Sequence, residues 1–191
     1  MAAIDRMLRR SASMALVVTL TGGLAIEIHA QRPPEYQVKA AYLYGFGRFV
    51  EWPASAPADA GETFVFCVLG QDPFGQWLDE VVAGAVIKDK PVSVRRIAQP
   101  EESGSCHTMF ISASEGGRLE RILQTLERRP VLTVSDAPEF AQHGGMIGFT
   151  LDGNRVRFAV NLTAAQDAGL QLNSELLRVA ATVLTSRPPG D

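Results

Sequence analysis

The sequence predicts a single compact α/β domain, a mostly parallel sheet between layers of helices, with an antiparallel hairpin near its C-terminal end. Three observations lead there. The apolar run Phe64–Leu69 lacks the alternation of a half-wet strand, so it reads as a strand buried on both faces; Thr108–Ile111 reads as another buried strand and Val131–Val134 as a further one. Stretches of helical spacing separate them, as in successive βαβ units. Asp152-Gly153 stands between two apolar arms, which is a strong hairpin signal.

In chain order, residues 35–50 place Val38, Tyr42, Phe46 and Phe49 at steps of three and four, with small Ala41 and Gly45 between them. That spacing predicts a helix with these residues on its apolar face. Trp52-Pro53 ends it, because the residue before proline avoids helical geometry. After the strand Phe64–Leu69, Asp72-Pro73 offers an N-cap and a first-turn proline for a helix through Phe74, Trp77, Leu78 and Val81. Pro91–Ile97 reads as a strand, and Thr108–Ile111 as a buried one. Ser112 and Glu115 have capping-box spacing ahead of the stripe Leu119, Ile122, Leu123 and Leu126. Arg128-Arg129-Pro130 suits the C-terminal end of that helix. The strand Val131–Val134 follows, then a short helix over Pro138–Gln142. The hairpin arms are Met146–Leu151 and Arg155–Val160; in the second, Val156, Phe158 and Val160 face inward and Arg155, Arg157 and Asn161 outward. A last helix is expected from Ser174 to Leu184, burying Leu176, Leu177, Ala180, Val183 and Leu184. This order describes a three-layer, Rossmann-like sandwich, whose ligand positions would lie beyond the carboxyl ends of its strands, at Gly70–Gly75 and Ser135–Ala137.

Composition narrows the setting. With 191 residues, 46% hydrophobic and 20% charged, the chain fits one globular domain plus a targeting segment. Its 18 basic against 21 acidic residues give no electrostatic footprint for nucleic acid. Arg6, Arg9 and Arg10 precede an apolar stretch from Met14 to Ile26, and Ala30 stands just before Gln31-Arg32-Pro33-Pro34. A basic start, a short apolar middle and a small residue at the cut are the order of a secretory signal peptide. The apolar stretch is shorter than the ~20 residues a spanning helix needs; an uncleaved anchor is the weaker alternative. Three segments are therefore expected: a signal peptide over 1–30 cleaved near Ala30, the domain over 31–186 and a tail over 187–191. The product would be a periplasmic protein. Its two cysteines, Cys67 and Cys106, form no CxxC motif. In an oxidising compartment such a pair bridges; the alternative is two buried cysteines that never meet.

Catalytic signatures are absent from the sequence. Gly70–Gly75 has the spacing of a phosphate loop, yet Gln76-Trp77 replace the lysine and hydroxyl residue that would meet phosphate and magnesium. Gly45-Phe46-Gly47 lies inside a helical pattern, which excludes a dinucleotide turn. No GxSxG elbow is present. His107 and His143 are isolated, so no metal site is expected. Asp72, Asp136 and Asp152 all sit at turns, where aspartate caps backbone amides. Arg95-Arg96 and the pair Arg155 and Arg157 could meet an anion or simply face solvent. No cofactor is expected, and no enzyme.

Several stretches taken together resemble the YfiR family of periplasmic proteins: Glu35–Tyr44 with Phe49–Pro53, Cys67–Gly75, Val131–Asp136, and Gly144–Ile147 with Arg157-Phe158 and Asn161-Leu162. The likeness runs from about Glu35 to Leu184. It implies a compact α/β domain that tends to dimerise. It also implies a non-catalytic repressor that binds the periplasmic sensor part of an inner-membrane diguanylate cyclase and lowers cyclic di-GMP. Stress would relieve the restraint, in some members through an outer-membrane lipoprotein. Cys67 and Cys106 fall where a family disulfide lies; a second cysteine pair that relatives carry around the hairpin is missing here.

Two functional classes follow. A protein-binding regulator predicts an exposed apolar patch rimmed by polar groups, with Phe46, Arg48 and Trp52 as candidates. A periplasmic small-ligand sensor or transport accessory predicts a pocket near Arg155 and Arg157.

Overall fold

The computed structural model describes residues 34–54, 56 and 61–185. The expected signal peptide, its cut at Ala30 and the tail 187–191 lie outside the described residues. The elements are α1 (Glu35–Phe49), β1 (Val50–Glu51), β2 (Phe64–Leu69), α2 (Gln76–Val82), β3 (Val86–Ile87), β4 (Lys90–Ile97), β5 (Thr108–Ile111), α3 (Leu119–Leu126), β6 (Leu132–Ser135), β7 (Ile147–Asp152), β8 (Arg155–Asn161), α4 (Leu162–Asp167), β9 (Gln171–Leu172), α5 (Ser174–Val179) and β10 (Thr182–Leu184). An eight-stranded sheet runs β10-β8-β7-β6-β5-β2-β4-β3, and β1 pairs with β9 apart from it. The pairings β2–β4, β2–β5, β5–β6, β6–β7 and β8–β10 are parallel, whereas β7–β8 and β3–β4 are antiparallel. The chain is thus the mixed α/β domain the sequence predicts.

The apolar run of β2 explains how two helical layers hold one sheet. All six of its residues are buried. Phe64, Phe66 and Val68 join one core with Leu43 and Phe46 of α1 and Leu78 of α2. Val65, Cys67 and Leu69 join the opposite core with Ile122 and Leu126 of α3. Strand side chains alternate in direction, so only a sandwich hides both sets. Gly47 lets α1 sit close on the sheet, since a Cβ there would lie 2.9 Å from Ile87 and 3.1 Å from Phe66.

Five local expectations are corrected. Asp72 does not cap a helix: its Oδ1 accepts from the Phe74 amide at 2.8 Å, making a turn, and α2 starts later, after Gly75 at φ +54°. Ser112 likewise caps only a 3-10 turn over Ala113–Arg118, because Glu115 turns to Arg118 rather than back to the cap. Residues 138–144 form turns, not a helix. The last helix ends at Val179. Ala180 adopts extended geometry, and Thr182–Leu184 becomes an edge strand alongside Ala159–Asn161. The open edge of β8 offers β-branched Thr182 and Val183 backbone partners that a further helical turn could not match. Asn161 also turns inward. Only 1% exposed, it accepts from Ala164 N and donates to Ala141 O, both at 2.9 Å, and thereby starts α4, a helix the sequence reading lacks.

Candidate functional site

Helix α1 carries two unlike flanks, and each borders a depression. The stripe Val38, Tyr42, Phe46 and Phe49, expected to face the core, is rotated partly out of it. The residues α1 actually buries are Lys39, Ala40, Leu43, Phe46 and Gly47. Val38, Tyr42 and Phe49 instead line a groove with Phe158 of β8 and Leu176 and Val179 of α5, about 520 Å³ in volume. Phe49 is 39% and Val179 57% exposed, while Phe46 forms the floor at 1%. Phe46 is held there by the rings of Phe158 at 5.0 Å and Phe149 at 5.8 Å. Glu175 supplies a polar rim. The sequence carried the signal for this groove in that stripe, but amphipathicity alone does not say whether an apolar face meets a core or a partner.

The other flank is polar. Lys39 of α1 is buried, and its Nζ lies 2.5 Å from Glu35 Oε1 and 2.8 Å from Asp136 Oδ2. Tyr36 Oη donates to the same Asp136 Oδ2 at 2.7 Å. Burial first, then that hydrogen bond and the negative charges of Asp136 and Glu35, push the Tyr36 hydroxyl well above the usual tyrosine range. A cavity of about 410 Å³ opens here beside Phe149, Thr150 and Leu151. No sequence pattern announces it, because Lys39 and Asp136 stand 97 positions apart.

The candidates named from sequence fall in separate places. Cys67 and Cys106 are bonded to each other, with Cα atoms 5.8 Å apart, and both are buried. The bridge ties β2 to the segment entering β5. Trp52 is half-buried between Phe64 and His107, donating from Nε1 to His107 O at 3.1 Å, so its indole braces this same region. The imidazole of His107 stacks on Phe64 at 4.2 Å, and its Nδ1 accepts from Val65 N at 3.1 Å. Arg48 is exposed, with its guanidinium 6.0 Å from the Tyr44 ring centre. Arg155 and Arg157 are exposed on β8, opposite Asp152 and Thr150, and line neither depression. Arg96 is engaged by Asp72 and Asp79; its hydrogen bond holds the Asp79 carboxyl below the usual range.

Among the described residues no three His, Cys, Asp or Glu side chains gather as a metal site, and no helix is long and apolar enough to cross a membrane. The chain is a member of the YfiR/HmsC-like family, whose model matches residues 36–181. That family consists of periplasmic regulators of diguanylate cyclase signalling and is generally non-catalytic. Among solved structures, the chain is similar to one described as the ABC domain in complex with L-Trp from Streptococcus pneumonia. Identity is 11% over 63% of this chain and 55% of that one, with a TM-score of 0.49. The chain thus spans about half of that structure, a likeness too distant to carry an argument.

Proposed function

We propose that this protein is an exported repressor that binds the periplasmic sensor part of an inner-membrane diguanylate cyclase and holds it inactive, lowering cyclic di-GMP. Family membership over residues 36–181 supports the setting. The observation that carries the mode of action is the groove between α1 and α5, where Phe49 and Val179 stay exposed in the free chain. Apolar side chains left open around a well-packed floor are suited to an apolar segment of a protein partner. Cleavage after Ala30 would deliver the domain to the periplasm, where Cys67 and Cys106 oxidise. A homodimer, and relief by an outer-membrane lipoprotein, belong to the same reading.

The test is cellular cyclic di-GMP after deletion of this gene, with and without the candidate cyclase. Deletion is expected to raise cyclic di-GMP only when the cyclase is present. A Phe49→Asp variant, secreted at the wild-type level, is expected to leave the cyclase unrestrained and to lose it in co-purification from membranes. Wild-type cyclic di-GMP in the deletion strain overturns the proposal, and full restraint by the Phe49→Asp variant removes the groove from it.

A further inference from the structure

We infer that the cavity bounded by Glu35, Tyr36, Lys39, Asp136 and Phe149 is a binding site for a small organic cation carrying a primary ammonium group. The sheet topology puts it in the expected place. Asp136 directly follows β6 and Ala113 lies just beyond β5, so the cavity opens at the carboxyl ends of two parallel strands. The neighbouring carboxyl end, that of β2, is filled. A Cβ on Gly70 would stand 2.5 Å from Glu115 Oε1 and 2.7 Å from Ser114 Oγ, so these two side chains pack directly on the strand end.

The sign of the ligand follows from what the cluster has already spent. Lys39 is the single cation, and two carboxylates, Glu35 and Asp136, share it. With ionised carboxylates the group carries one excess negative charge. The Tyr36 hydroxyl and the Lys39 ammonium both direct a hydrogen to Asp136 Oδ2. Asp136 Oδ1, by contrast, is buried and receives no hydrogen bond from any described residue, although the Asp136 side chain is only 8% exposed. A buried carboxylate oxygen without a donor is costly to leave unsatisfied. An anion would have to displace a carboxylate from Lys39, whereas an ammonium supplies the missing charge. The walls are compatible: the Tyr36 and Phe149 rings line the cavity, and aromatic rings attract cations. Leu151 and Ala113 give an apolar lining for a methylene stem, and about 410 Å³ suits a small molecule.

This site is independent of the groove and of the repressor reading. Calorimetry on the intact secreted protein with putrescine tests it, beside 1,4-butanediol as the neutral isostere and succinate as the anion. Putrescine is expected to bind, the other two to give no heat. Asp136→Asn is expected to weaken putrescine binding at least tenfold, and Glu35→Gln, a change at the partly exposed rim, several-fold. If Asp136→Asn does not fold, Glu35→Gln and the wild type decide the matter. No heat with putrescine, equal binding by Glu35→Gln, or binding of succinate instead overturns the inference.

Discussion

The two flanks of α1 reverse the usual partition of a globular protein. On one, an ammonium group is sealed inside: Lys39 is 3% exposed. On the other, nearly three turns further along, Phe49 stays 39% exposed and lines the groove with Val179 of α5 at 57%. Neither arrangement is what folding alone would favour. Burying an ion pair recovers at best the desolvation it costs, and leaving a phenyl ring in water forgoes transfer energy. The contrast teaches that one helix can border a polar cavity on one side and an apolar groove on the other. The rings join them, since Phe149 lines the cavity and packs on Phe46 and Tyr42 beneath the groove.

The largest expected effect breaks the polar flank. Asp136→Ala leaves the buried Lys39 ammonium with only the partly exposed Glu35 carboxylate as its partner and is expected to cost up to about 5 kcal/mol. The double variant Lys39→Met with Asp136→Leu removes the charge together with its partner and is expected to cost clearly less. Urea unfolding of both variants measures the difference. A single variant within about 1 kcal/mol of wild type would mean that Lys39 reaches water, and the contrast between the flanks would vanish.

The apolar flank is sharpened by two phenylalanines three positions apart. Phe46→Ala opens a cavity under the sheet-facing rings and is expected to cost about 3–5 kcal/mol. Phe49→Ala removes a ring that is already partly in solvent and is expected to change stability by less than about 1 kcal/mol. Thermal melts of the two variants provide the comparison. Equal losses would mean that Phe49 belongs to the core and that no open groove exists.

That pair of residues also shows how far the sequence could be read. Strands β2 and β5 were legible to the residue, because six buried apolar positions in a row in one, and Thr108 followed by three in the other, admit no other element in this setting. The hairpin was legible because Asp152 and Arg155 pair across a two-residue turn with Gly153 at φ +57°. The face of α1 was not. A stripe at steps of three and four fixes which residues share a side, but the opposite side holds Ala40 and Leu43 plus the aliphatic stem of Lys39, and it won the core. The end of the last helix failed for a related reason. Leu184 continues a helical pattern, yet hydrogen bonding along β8 is a tertiary fact with no local signature. Asp136 reads as one more turn aspartate until Tyr36 and Lys39 arrive from the other end of the chain.

The smallest expected effect tests the polar flank again, through a proton rather than a charge. Tyr36→Phe deletes the hydrogen bond to Asp136 Oδ2 and leaves the Lys39 contact to the same oxygen in place. For a half-buried donor to a carboxylate the loss should be about 1–2 kcal/mol near neutral pH. The direction with pH is fixed by linkage. In the folded protein the hydroxyl holds its proton above the ordinary value of about 10, chiefly through burial and then through Asp136. The folded state therefore binds that proton more tightly than the unfolded chain, and the stabilisation is complete below about pH 10. It declines as pH rises further, because the unfolded tyrosine ionises and the folded one does not. Wild type should accordingly lose its margin over Tyr36→Phe between about pH 10 and 12, a narrowing that melting temperatures at matched ionic strength would show. A margin that stays constant across this range would place Tyr36 in ordinary solvent contact and detach it from the cluster that closes the cavity.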